Sequence, residues 1–370
     1  MMKRACLVDF QTLERFIRDA LCAAGCRDDD AALCADVILA ADRQGIDSHG
    51  VGRFKPIYMD RIFSGQVDPK AQPVIAREGP TTAVVDGRNG MGQVASAFAM
   101  NLAVRKARDL GLGMVAVRGS NHYGIAGYYV RMAAEAGMVG VTGTNARPSV
   151  APTFGIEPML GTNPLTFGIP TDESFPFILD CATSASQRGK IEMYARQNRP
   201  SPRGWVMDMH GKSRTDSKTI LKDLVKGKAS LLPLGGSGEK TGGHKGYGYA
   251  TVVEILSSAL AGGAFLHGLN GLDREGRQVP LGLGHFFIAV DVSAFNDPSA
   301  FRKNAGDILR ALRSSRKAPG SVRIFTAGEK EYLAWMDRKD KGIVLNSPLQ
   351  SQLLEIKNRL RLDGRYFPFE

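Results

Sequence analysis

Apolar residues recur at helical spacing over residues 9–45, with Leu13, Phe16, Ile17 and Leu21 on one stripe and Leu33, Val37 and Ile38 on a second. Gly25 and the acidic run Asp28, Asp29, Asp30 separate the stripes; acidic residues suit a helix N-terminus, so two amphipathic helices are predicted. A third helical stretch follows the turn Asp47-Ser48-His49-Gly50 and ends near Gly65, after which Gly79 and Pro80 punctuate the chain. From residue 81 short apolar runs (82–86, 113–117, 139–144) alternate with helical segments (93–109, 126–136), which predicts an α/β arrangement. Residues 145–245 read as loop-rich: Pro148, Pro152, Pro158, Pro164, Pro170, Pro200 and Pro202 limit helices, and 177–180 is the one strand the pattern supports. A long helix is expected from Gly246, a strand over 285–290, and helices over 298–313, 329–338 and 348–360. The flanking helices predict one helical domain, 1–80 and 295–370, around an α/β domain over 81–294.

Composition narrows the class. The 370 residues are 43% hydrophobic and 23% charged, which excludes wholesale disorder and a single small binding module. A formal net charge of +11 admits nucleic acid, an anionic membrane surface or an acidic small molecule as partner. A basic nucleic-acid-binding protein is therefore the rival from another class. The densest basic groups, 313–317 and 338–341, are short and interrupted by Ser314, Ser315 and Asp340, as expected of solvated helix ends. Forty-three glycines suggest tight turns and close backbone approaches, as around a bound cofactor. The five cysteines form no C-x-x-C pairs; Cys22 and Cys26 lack a second ligand pair, so core thiols are expected and no metal. The apolar stretch 249–266 contains Glu254 and many small residues and predicts a buried helix, with no membrane span. After Lys3 and Arg4 only a three-residue apolar stretch, 6–8, precedes Asp9, too short for a secretory signal, and a cytoplasmic protein is expected.

Six segments carry candidate chemistry. Gly90-Met91-Gly92 with Ala95 imitates a dinucleotide fingerprint, but the acidic residue it requires is missing because Asp109 falls at the end of the helix; glycines in a turn before a helix are the simpler reading. Asp47-Ser48-His49-Gly50-Val51 with Arg53 puts an imidazole, a hydroxyl and a guanidinium within seven residues at a helix start, where a carboxylate could be held beside an acid/base group. An N-cap serine with a surface histidine would look the same. Ser120-Asn121-His122-Tyr123-Gly124 follows a strand and precedes a helix, a place where α/β proteins present functional side chains, although a structural histidine also fits. Gly161-Thr162-Asn163-Pro164, the run from Asp180 to Ser184, and Gly242-Gly243-His244-Lys245-Gly246 combine small residues, hydroxyls and one lysine suited to phosphates, without forming a P-loop.

Taken together in this order, and with Leu232-Pro233-Leu234-Gly235-Gly236 and His244-Lys245-Gly246-Tyr247-Gly248, these segments resemble the malate/L-lactate dehydrogenase family over nearly the whole chain. The resemblance implies an α/β fold: a non-Rossmann, mostly antiparallel-sheet cofactor domain flanked by a helical domain built from both chain ends. It implies oxidation or reduction of a small 2-hydroxy or 2-oxo acid with NAD or NADP in a homodimer, malate first, with lactate, sulfolactate, ureidoglycolate or a cyclic imino acid as alternatives. It assigns proton transfer to His49 and His122, and substrate contacts to Ser48, Arg53 and Thr162. Cofactor contacts fall to Asp180, Cys181, Ala182, Ser184, Lys245, Gly246, Gly328 and Glu329. Two positions depart from the family pattern: Ala327 stands where proline is usual, and Ala146 where serine is. A dicarboxylate needs a second cation, for which Arg43, Lys55 and Arg147 are the candidates.

Overall fold

The computed structural model describes residues 5–370. In chain order its elements are β1 (Cys6–Val8), α1 (Phe10–Ala23), α2 (Asp28–Arg43), α3 (Asp60–Phe63), β2 (Val74–Glu78), β3 (Thr82–Asp86), α4 (Gly92–Leu110), β4 (Leu112–Ser120), α5 (Gly127–Glu135), β5 (Met138–Thr144), β6 (Leu165–Ile169), β7 (Phe177–Cys181), α6 (Arg188–Arg196), β8 (Val206–Asp208), α7 (Ser217–Val225), β9 (Ala229–Leu231), α8 (Gly243–Ser258), β10 (Leu283–Asp291), α9 (Pro298–Ser314), α10 (Glu329–Arg338), β11 (Ile343–Leu345) and α11 (Ser347–Leu360). Helix boundaries follow local chemistry. Asp9 caps α1 by accepting from the Thr12 N–H at 2.7 Å, Asp297 caps α9 ahead of Pro298, and Asn346 caps α11. Helix α2 opens on Asp28, Asp29 and Asp30, whose charges complement its N-terminal dipole.

The predicted stripe of α1 is buried and joins Phe54, Met59, Leu345, Leu353, Ile356 and Phe367 in one core; β1 pairs with β11, so the two ends of the chain meet. Phe16 sits at its centre, with ring centroids 6.3 Å from Phe54 and 4.9 Å from Phe367. Full burial of such a side chain is worth about 2–3 kcal/mol. A second core lies where α4 and α5 cover a seven-stranded sheet of order β2-β3-β4-β10-β5-β6-β7, while α8 packs against the sheet's central strands. The sheet is mixed: β3 and β4 pair parallel and every other neighbouring pair is antiparallel.

Two expectations are corrected. Residues 145–245, read as loop with one strand, also hold β6, α6, β8, α7 and β9; these are short, and their prolines fall between them. The stretch 249–266 is no continuous buried helix. Helix α8 stops at Ser258, a 3-10 turn follows, and Gly262 at φ 64° ends it. Only Ala250, Val253, Glu254, Ser257 and Ser258 in its later turns are buried, whereas Tyr249, Val252 and Ile255 are 57%, 46% and 52% exposed. Among the described residues no helix is long and apolar enough to cross a membrane.

Candidate active site

The turn after α2 is built around a buried acid. The Asp42 carboxylate accepts the Val51 N–H at 2.7 Å, and a Cβ at Gly50 would stand 2.0 Å from its Oδ1, so only glycine lets the chain fold back over Asp42. Burial pushes the Asp42 carboxyl up to about 7. This turn presents Ser48, His49 and Arg53. Ser48 Oγ lies 2.9 Å from His49 Nδ1, and Arg53 Nε donates to the Ser48 carbonyl at 2.7 Å while its Nη2 reaches Glu192 at 3.5 Å. Beyond Arg53 the chain winds into a π-helical turn, Phe54–Met59, a wide geometry frequent at functional sites, which carries Tyr58.

His122 arrives from the sheet, two residues past the end of β4. Asn121 fixes the approach by donating from Nδ2 to the carbonyls of Asn89 and Gly90 at 3.2 and 3.0 Å. The fingerprint-like glycines find their reason here: a Cβ at Gly92 would lie 2.2 Å from the Asn121 carbonyl oxygen and 2.5 Å from that of His122. They let the start of α4 press against the histidine's backbone.

The two imidazoles stack, with ring centroids 5.8 Å apart and planes at 21°. His122 Nδ1 lies 2.8 Å from Tyr58 Oη and accepts the Gly124 N–H at 3.2 Å. Burial, then the charge of Arg53, lowers His49 to about 4; burial, then His49, Arg61 and Arg53, holds His122 well below the ordinary histidine range. Both rings are neutral at pH 7. Because a backbone N–H can only donate, Nδ1 of neutral His122 is an acceptor and the ring's hydrogen is on Nε2.

The remaining expected residues form a connected band. Asp180 turns its carboxylate inward, accepting the Gly127 N–H at 2.7 Å and the Thr166 hydroxyl at 3.2 Å, and burial raises its pKa. Half-buried Cys181 and Ala182 lead to Thr183, which donates to the Thr162 carbonyl at 3.0 Å; Thr162 is held by this contact. Ser184 bridges to Pro233, and Leu234 in turn lies against α8, where a Cβ at Gly246 would meet the Leu234 carbonyl oxygen at 2.2 Å. Lys245 is exposed one residue before. Past Ser184 the chain enters α6, and a Cβ at Gly189 would stand 2.9 Å from Arg53 Nη2 and 3.4 Å from Ser48 Cβ. The band from Asp180 to Ser184 therefore runs into the Ser48–Arg53 turn.

A cleft of about 300 Å³ opens beside Asp180 between α5 and the start of α10, lined among others by Gly127, Arg131, Ala327, Gly328 and Lys330. Arg131 Nε is buried there with no hydrogen-bond partner among the described residues. Gly328, at φ 87°, abuts Ile178 N and Pro176 O, each 3.0 Å from where its Cβ would be. Glu329 does not line the cleft. It is buried and accepts the Thr326 N–H at 3.1 Å, paired with Arg323 and, at 3.8 Å, Arg313.

Residue patterns missed Asp42, Tyr58 and Glu192. Asp42 carried a signal, an acid directly after two alanines late in the apolar stripe of α2; Tyr58 and Glu192 reach the site only through the tertiary fold.

Comparison with known proteins follows from this geometry. The sequence model of the family described as malate/L-lactate dehydrogenase matches residues 8–354. The chain is similar to the crystal structure of malate dehydrogenase from Entamoeba histolytica, with 44% identity and a TM-score of 0.94 over 98% of this chain and 99% of that one. It is 42% identical over 349 residues to the malate dehydrogenase of Pyrococcus horikoshii, 94% of each chain. It is 38% identical over 353 residues to the L-sulfolactate dehydrogenase of Methanocaldococcus jannaschii, 95% of this chain and 96% of that one.

Proposed function

The chain belongs to the malate/L-lactate dehydrogenase family, and from that premise we propose that it interconverts malate and oxaloacetate by hydride exchange with NAD or NADP. The observation that carries the reading is the stacked, neutral His49–His122 pair beside Arg53. Arg53 offers a two-pronged contact to the C1 carboxylate, which orients C2. Ser48 aligns the His49 ring through Nδ1 and leaves Nε2 free to take the hydroxyl proton during oxidation. His122, with its hydrogen on Nε2, donates to the same substrate oxygen and steadies the charge that develops there. In reduction the roles run backwards, His49 returning the proton to C2–O.

The cleft beside Asp180 suits part of a dinucleotide, because Arg131 and Lys330 line it and bring positive charge to a phosphate. The residues that would hold it are Asp180, Cys181, Ala182, Ser184, Lys245, Gly246 and Gly328, with Glu329 acting through the segment it anchors. When bound, the nicotinamide accepts or supplies the hydride. Similarity to an L-sulfolactate dehydrogenase supports sulfolactate as a second substrate. The exposed apolar face of α8, Tyr249, Val252 and Ile255, supports a homodimer.

The test is direct: purified protein is mixed with oxaloacetate and either reduced nicotinamide cofactor, and loss of the cofactor's absorbance is followed. Turnover is expected. Absence of turnover with oxaloacetate, pyruvate, sulfopyruvate and cyclic imino acids alike would overturn the reading.

A further inference from the structure

The four-carbon substrate carries a second negative charge, and the three cations expected to meet it fare differently in the fold. Arg43 is taken by Asp36 at 2.9 Å and Glu14 at 3.5 Å, and Lys55 by Asp60 at 3.0 Å and Glu355 at 3.1 Å. Both are spent on structural pairs. Arg147 is exposed and has no such partner among the described residues, and its charge acts on a cation that residue patterns did not single out, Arg61.

Arg61 lies three residues after Tyr58, the residue whose hydroxyl touches His122, and its charge reaches the His122 ring. Among the described residues no carboxylate comes within 4.0 Å of its guanidinium, and the guanidinium donates no hydrogen bond. It is half-buried, with Tyr58 and Arg147 as the titratable and charged groups that face it, and burial lowers its pKa. A half-buried guanidinium that has no protein acceptor keeps its donors open to solvent and so to an incoming anion. Arg53, by contrast, has Glu192 and the Ser48 carbonyl, and it flanks the histidine pair from the His49 side.

We propose that Arg61, aided by the charge of Arg147, receives a second anionic group on C3 of the substrate, carboxylate or sulfonate, and so makes the site selective for dianionic over monoanionic 2-oxo acids. This rests on the dehydrogenase reading above. Arg53 then holds C1 and Arg61 the far end, with C2 between them under the two imidazoles.

The experiment compares oxaloacetate, sulfopyruvate and 2-oxobutyrate, which carry a carboxylate, a sulfonate and a methyl group at the same position, in the wild type and in Arg61→Met, Arg61→Lys and Arg147→Met. In Arg61→Met the ratio of kcat/KM for oxaloacetate to that for 2-oxobutyrate is expected to fall about a hundredfold, with Arg61→Lys intermediate and Arg147→Met less affected. The relative loss for oxaloacetate and sulfopyruvate tells which anion fits better. Ligand-free Arg61→Met should keep its Tm, since the guanidinium has no protein partner to lose, whereas loss of a structural arginine would lower Tm. A parallel fall for all three substrates with a lower Tm overturns the proposal. If the wild type prefers 2-oxobutyrate, the proposal fails and the dehydrogenase reading stands; if it turns over none of the three or any other 2-oxo acid, both fail.

Discussion

Tyr58 Oη and His122 Nδ1 stand 2.8 Å apart, and the Gly124 N–H approaches the same nitrogen at 3.2 Å. Two donors on one ring nitrogen fix the tautomer of His122. The backbone donor survives in Tyr58→Phe, so the tautomer is kept and only the ring's support weakens. A loss of about tenfold in kcat is expected, with KM and Tm changing little. Equal losses in the wild-type tautomer signal and in Tm, read by ring 15N shifts and calorimetry, would show that Tyr58 is merely a core residue.

His49 sets the pH response. With its pKa lowered to about 4 by burial and by Arg53, it is already a free base at neutral pH. Oxidation of malate should therefore not vary through protonation of His49 between about pH 6 and pH 8, and should fall only as the medium approaches the lowered pKa. A carboxylate bound at Arg53 offsets that arginine's charge, so oxamate should move the His49 titration upward, as followed by NMR. Titration near 6.5 in the free protein would contradict this.

Asp42 bears on stability with the opposite sign to an ordinary paired acid. Its folded pKa, about 7, lies above the usual 3.8, so the folded state loses stability as pH rises from about 4 to about 7, and the loss persists above that. Asparagine keeps an acceptor for the Val51 N–H without the charge. Asp42→Asn is expected to be more stable than wild type by about 1–2 kcal/mol at pH 8 and no more stable at pH 4, measured by urea unfolding.

Gly92→Ala tests the close approach of α4 to His122. The added Cβ meets backbone oxygens at 2.2 and 2.5 Å, which cannot swing aside as a side chain could. A destabilisation of about 2–4 kcal/mol is expected, with a drop in kcat because the displaced backbone carries His122. Wild-type stability would mean that the helix start is looser than its geometry states.

The face of α8 gives the assembly prediction. Light scattering should return twice the 39.9 kDa chain mass for the wild type and the single-chain mass for Ile255→Asp. An unchanged dimer in the variant would move the interface elsewhere.

Much of this was legible in the residue order, unevenly. Helix starts such as Asp9, Asp297 and Asn346 are local chemistry and were read close to where they fall. Ser48, His49, Arg53 and His122 stand out by type and context, and the fold brings them together. The short strands of residues 145–245 escaped because three to five residues between prolines give no period to detect. Arg43 and Lys55 looked as available as Arg147, since two of the acids that neutralise them, Glu14 and Glu355, are far away in sequence. Tyr58 and Arg61 were hidden for a related reason: a π-helical turn shifts the spacing on which helical faces are counted.

The histidine pair spans two separate cores. His49 rides on the turn that packs Val51 and Phe54 into the core joining the chain ends, and His122 precedes Tyr123 in the core beneath the sheet. Any slippage between these bodies is read out as a gap between the rings, although each core stays intact. Heat should thus silence the enzyme before it melts it, and the interval between those two temperatures measures how firmly the two halves are clasped.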